Sequence, residues 1–187
     1  MKYKITLLIT FLFSVLFFSS CCNKSVESAR YALTDEDKSF IPYQKDQTVL
    51  FEHSSGYQFE LKAFNVSEAW SRTVTEHCNE NYISYQFKVA ELFSSQPELY
   101  FYIMVMPKEF ISDMVIQINN DNFLLNTNEP PTIDSLQIGN NVFKDVYVME
   151  KEISDTTIIQ PKKVFYNKSY GIIKIKMTNN EFFNIVF

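Results

Sequence analysis

The chain has 187 residues, of which 46% are apolar and 21% are charged, and its formal net charge is −5. This length and composition indicate one globular domain, with or without a short appendage, and exclude wholesale disorder. Two histidines, three cysteines and three glycines argue against a metal cluster, a disulfide scaffold and a glycine-rich phosphate loop. The lysines form no dense basic face, so we expect no nucleic-acid partner.

The first twenty residues have the pattern of a secretory signal peptide. Lys2 and Lys4 give a positive start, an apolar run covers residues 5–18, and two serines end it. Such a sequence is typical of a cleaved leader, whereas a membrane-spanning helix needs about 20 apolar residues. We therefore predict a signal peptide over residues 1–20.

The end of this leader carries the signal for a lipid anchor. Phe18, Ser19, Ser20 and Cys21 resemble the bacterial lipobox, in which a peptidase cuts before a cysteine whose thiol is then acylated. Phe18 stands where leucine is usual, a variation similar to that of Bacteroidota lipoproteins. Cys22 is the alternative acceptor, but Cys21 would then precede the cut, which is a poorer fit. We predict a palmitate-type anchor at Cys21, and several acyl chains hold a protein on a membrane that it does not span.

Residues 21–33 are predicted to be the lipid anchor followed by a flexible tether, because they are small, polar and aperiodic. Retention at the inner membrane usually needs an acidic residue directly after the lipidated cysteine, and Cys22 stands there instead. The resemblance therefore implies the outer membrane, on the periplasmic or the cell-surface side. Cys22 and Cys78 are the remaining thiols, and a disulfide between them is the alternative to a buried free Cys78.

A single β-rich domain is predicted from residue 34 to residue 187, and it opens with one short helix. Thr34 caps a helix over residues 34–41, solvated acidic side chains at 35–37 favour its first turn, and Pro42 ends it. Period-two alternation and short turns follow, which predict a mainly β antiparallel meander forming a barrel, half-barrel or sandwich. The predicted strands cover residues 48–53, 58–64, 70–75, 82–93, 99–106, 111–118, 123–125, 133–138, 142–152, a segment from about 164, 171–177 and 181–187.

The two ends of this domain carry a family resemblance. Residues 164–174 read VFYNKSYGIIK, which is similar to a Tyr-Tyr-x-Lys-x-x-Gly-Ile-Ile-Lys ending of uncharacterised Bacteroidota outer-membrane lipoproteins, with Phe165 in place of the first tyrosine. Residues 33–36 and 41–43 read LTDE and IPY and match the helix and the Pro-Tyr turn that open those proteins. The wider group includes half-barrel lipoproteins that hold acyl chains in an apolar cavity. The resemblance implies location and fold, and it implies no chemistry.

Candidate catalytic groups are sparse. His53, His77, Cys78 and Glu80 are the metal-like set, but adjacent His77 and Cys78 side chains would point to opposite faces of a strand. The sequence also lacks the Gly-x-Ser-x-Gly pattern of a nucleophile elbow. We therefore expect no metal, no cofactor and no enzymatic activity.

The segment 99–106 is apolar on both faces, and two interpretations follow. It is either a central strand covered on both sides or a strand with one face open to an acyl chain. Phe101, Ile103 and Val105 are the candidate apolar ligand face. The leading hypothesis is a membrane-anchored envelope lipoprotein that binds an apolar ligand or acyl chain. The alternative is a structural or accessory subunit of an envelope protein complex, docked through a sheet edge or an apolar patch.

Overall fold

The computed structural model describes residues 25–75, 81–153 and 157–187. Within these ranges it contains one short helix and twelve strands, which confirms the predicted mainly β fold. The elements are β1 (Glu27–Tyr31), α1 (Asp35–Ser39), β2 (Thr48–His53), β3 (Gln58–Val74), β4 (Tyr82–Ser95), β5 (Glu98–Val105), β6 (Asp113–Ile118), β7 (Asp121–Asn126), β8 (Ile133–Ile138), β9 (Asn141–Glu150), β10 (Pro161–Asn167), β11 (Gly171–Met177) and β12 (Phe182–Val186).

The strands form one open antiparallel sheet. Their order is β7, β6, β5, β4, β3, β2, β12, β11, β10, β9 and β8, with β1 paired to β4 off this path. Most neighbours are consecutive hairpins, as a meander requires. The exception joins the two ends of the domain, because β12 pairs with β2 and places Ile185 opposite Phe51.

The chain divides into two compact units. The described part of the first unit consists of residues 25–30, 71–75 and 81–84. It contains most of β1, the end of β3 and the start of β4. The second unit contains the other described residues, from 31 to 70 and from 85 onward. It holds the apolar core and every site discussed below.

In the first unit, backbone pairing orders part of the segment predicted as a tether. The Tyr82 amide donates to the Val26 carbonyl at 3.1 Å, and the Ser28 hydroxyl donates to the Tyr82 carbonyl at 3.0 Å. The prediction of a flexible tether is therefore wrong for Glu27–Tyr31, which form β1. Pairing with another strand satisfies the backbone without an alternating apolar pattern, so the sequence carried little sign of it.

Strand β3 is one continuous element where two strands were predicted. Phe59, Leu61 and Ala63 are buried on one face, and the next side chain packed against the core is Val66. Inward positions therefore shift from odd to even residue numbers near Asn65. The broken alternation resembled the end of a strand, although the chain continues extended to Val74.

Both ends of helix α1 are capped by side chains. Asp37 N–H donates to the Thr34 hydroxyl at 3.1 Å, and Thr34 N–H donates to the Asp37 carboxylate at 2.9 Å, which is a capping box. At the other end, Lys88 Nζ donates to the carbonyls of Lys38 at 3.2 Å and Ile41 at 2.9 Å. Asp37 is 2% exposed, so the prediction of a solvated acid is wrong there, because the box folds the carboxylate back onto the helix.

The two segments that carry the family resemblance pack against each other. The Tyr166 hydroxyl donates to the carbonyl of Phe40, and the Ile172 amide donates to Tyr43 Oη at 2.8 Å. Gly171 has φ +78°, and a Cβ there would lie 2.0 Å from Tyr43 Oη. Burial raises the pKa of both phenols, Tyr43 and Tyr166. These motif residues therefore act first as a structural joint between the α1 segment and the β10–β11 hairpin.

Removal of the Tyr166 hydroxyl tests this joint. Tyr166→Phe leaves the buried Phe40 carbonyl without its phenol donor, so we expect a loss of about 1–3 kcal/mol in the free energy of unfolding. Urea denaturation followed by circular dichroism measures the change. Tyr57→Phe is the control, because the exposed Tyr57 hydroxyl donates to a surface carbonyl that water can satisfy. Equal stability of the Tyr166→Phe variant and the parent would contradict the joint.

Candidate functional site

The predicted ligand face lies in the packed core of the second unit. Phe101, Ile103 and Val105 are 1%, 0% and 1% exposed, and Phe101 meets the Phe51 ring edge-on, with ring centroids 6.1 Å apart. On β4, Leu92 and Ala90 lie opposite Phe101 and Ile103 and are also buried. The structure thus corrects the role of Phe101, Ile103 and Val105 from ligand face to core.

The other predicted site residues are mostly outside the described part of the chain. Cys21, Cys22 and Cys78 all fall there, so the lipid anchor and the disulfide stay predictions. His53 is described: its Nδ1 lies 2.8 Å from Ser55 Oγ, and its ring centroid lies 5.1 Å from that of Phe183. Within residues 25–75, 81–153 and 157–187, no group of three His, Cys, Asp or Glu side chains could hold a metal ion.

A surface cleft of about 660 Å³ is the candidate site, and we name it the β10–β11 cleft. It lies between β9 and the turn that joins β10 to β11. Its volume is in the range of small-molecule sites, roughly 300–1,000 Å³. The lining residues are Pro131, Val142, Phe143, Lys144, Asp145, Tyr147, Asn167, Lys168, Ser169 and Tyr170.

Asn167 holds the turn that forms one wall of the cleft. Its Nδ2 donates to the Lys144 carbonyl at 2.6 Å, and its Oδ1 accepts from the Ser169 amide at 2.9 Å. The second bond is a local Asx-type interaction that favours a turn, and the first ties this turn to β9. The side chains of Lys168 and Tyr170 are presented by this fixed segment.

The apolar part of the cleft is an aromatic wall. The rings of Phe143 and Tyr170 meet edge to face, with centroids 5.4 Å apart. Phe187 supports both rings, at centroid distances of 5.9 Å from Phe143 and 5.2 Å from Tyr170. Tyr170 is 46% exposed, so part of this wall is open to a ligand.

The polar part of the cleft centres on Lys168. Its Nζ lies 3.9 Å from the centroid of the buried Phe40 ring, and it forms no ion pair with any described residue. The nearby Glu36 carboxylate instead binds Lys108, at 2.6 Å. Burial lowers the pKa of Lys168, the charge of Glu36 opposes that effect, and the charge of Lys108 adds to it.

A second cleft, of about 520 Å³, differs in that most of its charged side chains form ion pairs. It is lined by Glu150, Lys151, Glu152, Ile153, Lys162 and Thr178. Lys163 binds Glu150 at 2.7 Å and lowers the pKa of that carboxyl, while Lys151 binds Asp121 at 2.5 Å. A charged ligand would have to displace these pairs, so this cleft is the weaker candidate.

Part of the β10–β11 cleft lies in a segment that the sequence marks for another reason. Residues 167–170 belong to the phrase that carries the family resemblance, and all four line the cleft. In the sequence, this phrase indicates only location and fold. The missing signal was the ion pair of Glu36 with Lys108, which joins residues 72 positions apart and leaves Lys168 without an ion pair among the described residues.

Comparison with protein-family models, with curated proteins and with solved structures finds no match to this chain. No helix in the described ranges has the length and apolar character that a bilayer span needs.

Proposed function

We propose that this chain is a lipid-anchored envelope lipoprotein that acts by binding, and that the β10–β11 cleft holds an anionic ligand with an acyl chain. Lys168 is the observation that carries the proposal, because a partly buried ammonium without an anionic partner has lost hydration and gained no salt bridge. A carboxylate or phosphate at Lys168 would supply that partner. The aromatic wall at Phe143 and Tyr170 would cover the first carbons of the chain.

The charge balance of the cleft supports an anion over a cation. Its lining contains two lysines, Lys144 and Lys168, and one carboxylate, Asp145. Charge-assisted hydrogen bonds from an ammonium are stronger than neutral ones. An apolar group in contact with the aromatic wall would add about 25 cal/mol per Å² that it removes from water. The proposed anchor at Cys21 would keep the cleft near a membrane, where such amphiphiles are concentrated.

Binding of octanoate tests this proposal. The full chain is held in maltoside micelles and titrated calorimetrically with octanoate, with empty micelles as the blank. We expect saturable binding that is about tenfold weaker for the neutral analogue octanamide. We expect a similar tenfold loss for Lys168→Met, which keeps an unbranched side chain and removes its charge. One charge-assisted bond is worth roughly 1.5–3 kcal/mol. Lys45→Met is the matched control, because Lys45 is exposed and outside the cleft.

The pH dependence provides a second arm of this test. Because burial lowers the pKa of Lys168, its ammonium loses its proton at a lower pH than an ordinary lysine does. Octanoate affinity should therefore fall as the pH rises through that pKa, and the fall should be absent in Lys168→Met. Equal affinities of octanoate and octanamide, or an unchanged affinity in Lys168→Met, would contradict the proposal.

A further inference from the structure

A second surface, on the opposite face of the sheet from the core, carries aromatic side chains around one carboxylate. In the β4–β5 register, Glu91 lies opposite Tyr102, and Phe93 lies opposite Tyr100. Phe64 on β3 completes the group, with its ring centroid 6.4 Å from that of Tyr100. We name these five residues the Glu91 platform. Phe64 and Phe93 are 45% and 42% exposed, so aromatic faces are available at its surface.

The Glu91 carboxylate is held by neutral donors alone. Its Oε2 accepts from the Tyr100 hydroxyl at 2.6 Å, and its Oε1 accepts from Asn65 Nδ2 at 2.8 Å. No lysine, arginine or histidine of the described ranges forms an ion pair with it. Burial, with the hydrogen bond and charge of Glu91, raises the pKa of Tyr100 to about 12, so the negative charge acts on the adjoining ring.

This combination favours a planar cation. The faces of aromatic rings attract cations, and each carboxylate oxygen keeps lone pairs after accepting one hydrogen bond. A guanidinium can bond to a carboxylate through two N–H groups and stack on aromatic rings at once, whereas an ammonium is a compact, strongly hydrated charge. The chemistry of the platform therefore fits arginine better than lysine.

The setting of the platform favours a protein as the source of that cation. The group lies on an open strand face, whereas small-molecule sites are usually concave. Exposed aromatic residues are enriched in protein interfaces, and arginine and tyrosine dominate their binding energy. The net charge of −5 adds a long-range attraction for a basic partner.

We propose that the Glu91 platform receives an arginine side chain from a partner protein. The guanidinium lies over Tyr100 or Phe93 and donates to the free lone pairs of the Glu91 carboxylate. The platform shares no residue with the β10–β11 cleft, so either proposal can fail while the other stands.

The test uses the full chain with ring-¹³C-labelled tyrosine, in maltoside micelles. N-acetyl-arginine amide is the probe, and N-acetyl-citrulline amide is its neutral analogue of nearly the same shape. We expect saturable shifts of the Tyr100 and Tyr102 ring signals with the arginine probe, and affinity about tenfold lower with the citrulline probe. Glu91→Gln should reduce arginine affinity by about tenfold, and Phe93→Leu should reduce it by about threefold.

Glu98→Gln is the matched control, because Glu98 is an exposed acid on the same face of β5, opposite Ser95. This variant should bind the arginine probe within twofold of the parent. Unchanged tyrosine signals elsewhere in the spectrum show that each variant is folded. Equal binding of the two probes, or an equal loss in Glu98→Gln and Glu91→Gln, would overturn the proposal. Tighter binding of tetramethylammonium than of the arginine probe would overturn it in favour of a small quaternary ammonium ligand.

Discussion

Replacement of Gly171 by alanine is expected to lower the free energy of unfolding by about 3 kcal/mol or more. Two costs add at this position. A left-handed backbone costs an L-residue roughly 1–2 kcal/mol, and Gly171 has φ +78°. A Cβ would also lie 2.2 Å from Tyr43 Cζ, and overpacking of this kind costs about 1–3 kcal/mol. Urea denaturation measures the change.

Gly139→Ala separates the two costs. Gly139 also has a positive φ, of +57°, but a Cβ there meets nothing within 4 Å. This control should therefore lose only the backbone cost, roughly 1–2 kcal/mol. If the two variants were equally stable, the Tyr43 ring would not occupy the space beside Gly171, and the joint between the two ends of the domain would be wrong.

Phe101→Ala is expected to destabilise the protein by about 3–5 kcal/mol, the usual range for removal of a buried aromatic ring. The ring is 1% exposed and packs on Phe51, so its removal leaves a cavity. Phe93→Ala is the control on the neighbouring strand, because its side chain projects outward and is 42% exposed. We expect this variant to lose less than about 1.5 kcal/mol.

The comparison of these two phenylalanines decides between the two interpretations of β5. Thermal and urea unfolding of both variants gives the difference directly. A loss at Phe101 no larger than the loss at Phe93 would mean that the inner face of β5 borders open space. Phe101, Ile103 and Val105 would then again be candidates for an acyl-chain site.

Most of the fold could be predicted because period-two alternation is a direct consequence of strand geometry. The prediction succeeded where one face is buried and turns are marked, as in β11, where Ile175 is buried between Lys174 and Lys176. The helix was also predicted, since Thr34 begins a capping box that depends on local residues alone. These features need no knowledge of the tertiary structure.

The features that could not be predicted depend on distant partners. On β4, the polar side chains of Gln86 and Lys88 lie on the same face as the buried Ala90. Polar residues of a strand usually face the solvent instead. These two side chains lie on that face because Gln86 accepts from the Leu33 amide and Lys88 donates to carbonyls at the end of α1. Long-range hydrogen bonds of this kind leave no pattern in the local sequence.

The candidate site was predictable only in part for the same reason. Residues 167–170 belong to the phrase that carries the family resemblance, and local Asx chemistry explains how Asn167 shapes their turn. The rings that pack against Tyr170 belong to Phe143 on β9 and to Phe187, and both lie outside this phrase. The segment of β5, by contrast, is apolar on both faces, as both core strands and ligand-binding strands can be. The sequence therefore could not distinguish these two roles.

The most direct test of the proposed binding site is the location of bound octanoate, measured by nuclear Overhauser effects between its methylene protons and the aromatic rings of the full chain. We expect contacts to Tyr170 and Phe143, in the β10–β11 cleft. Contacts to Phe101 and Phe51 would show that the ligand enters the interior of the sheet, and would contradict a binding site built around Lys168.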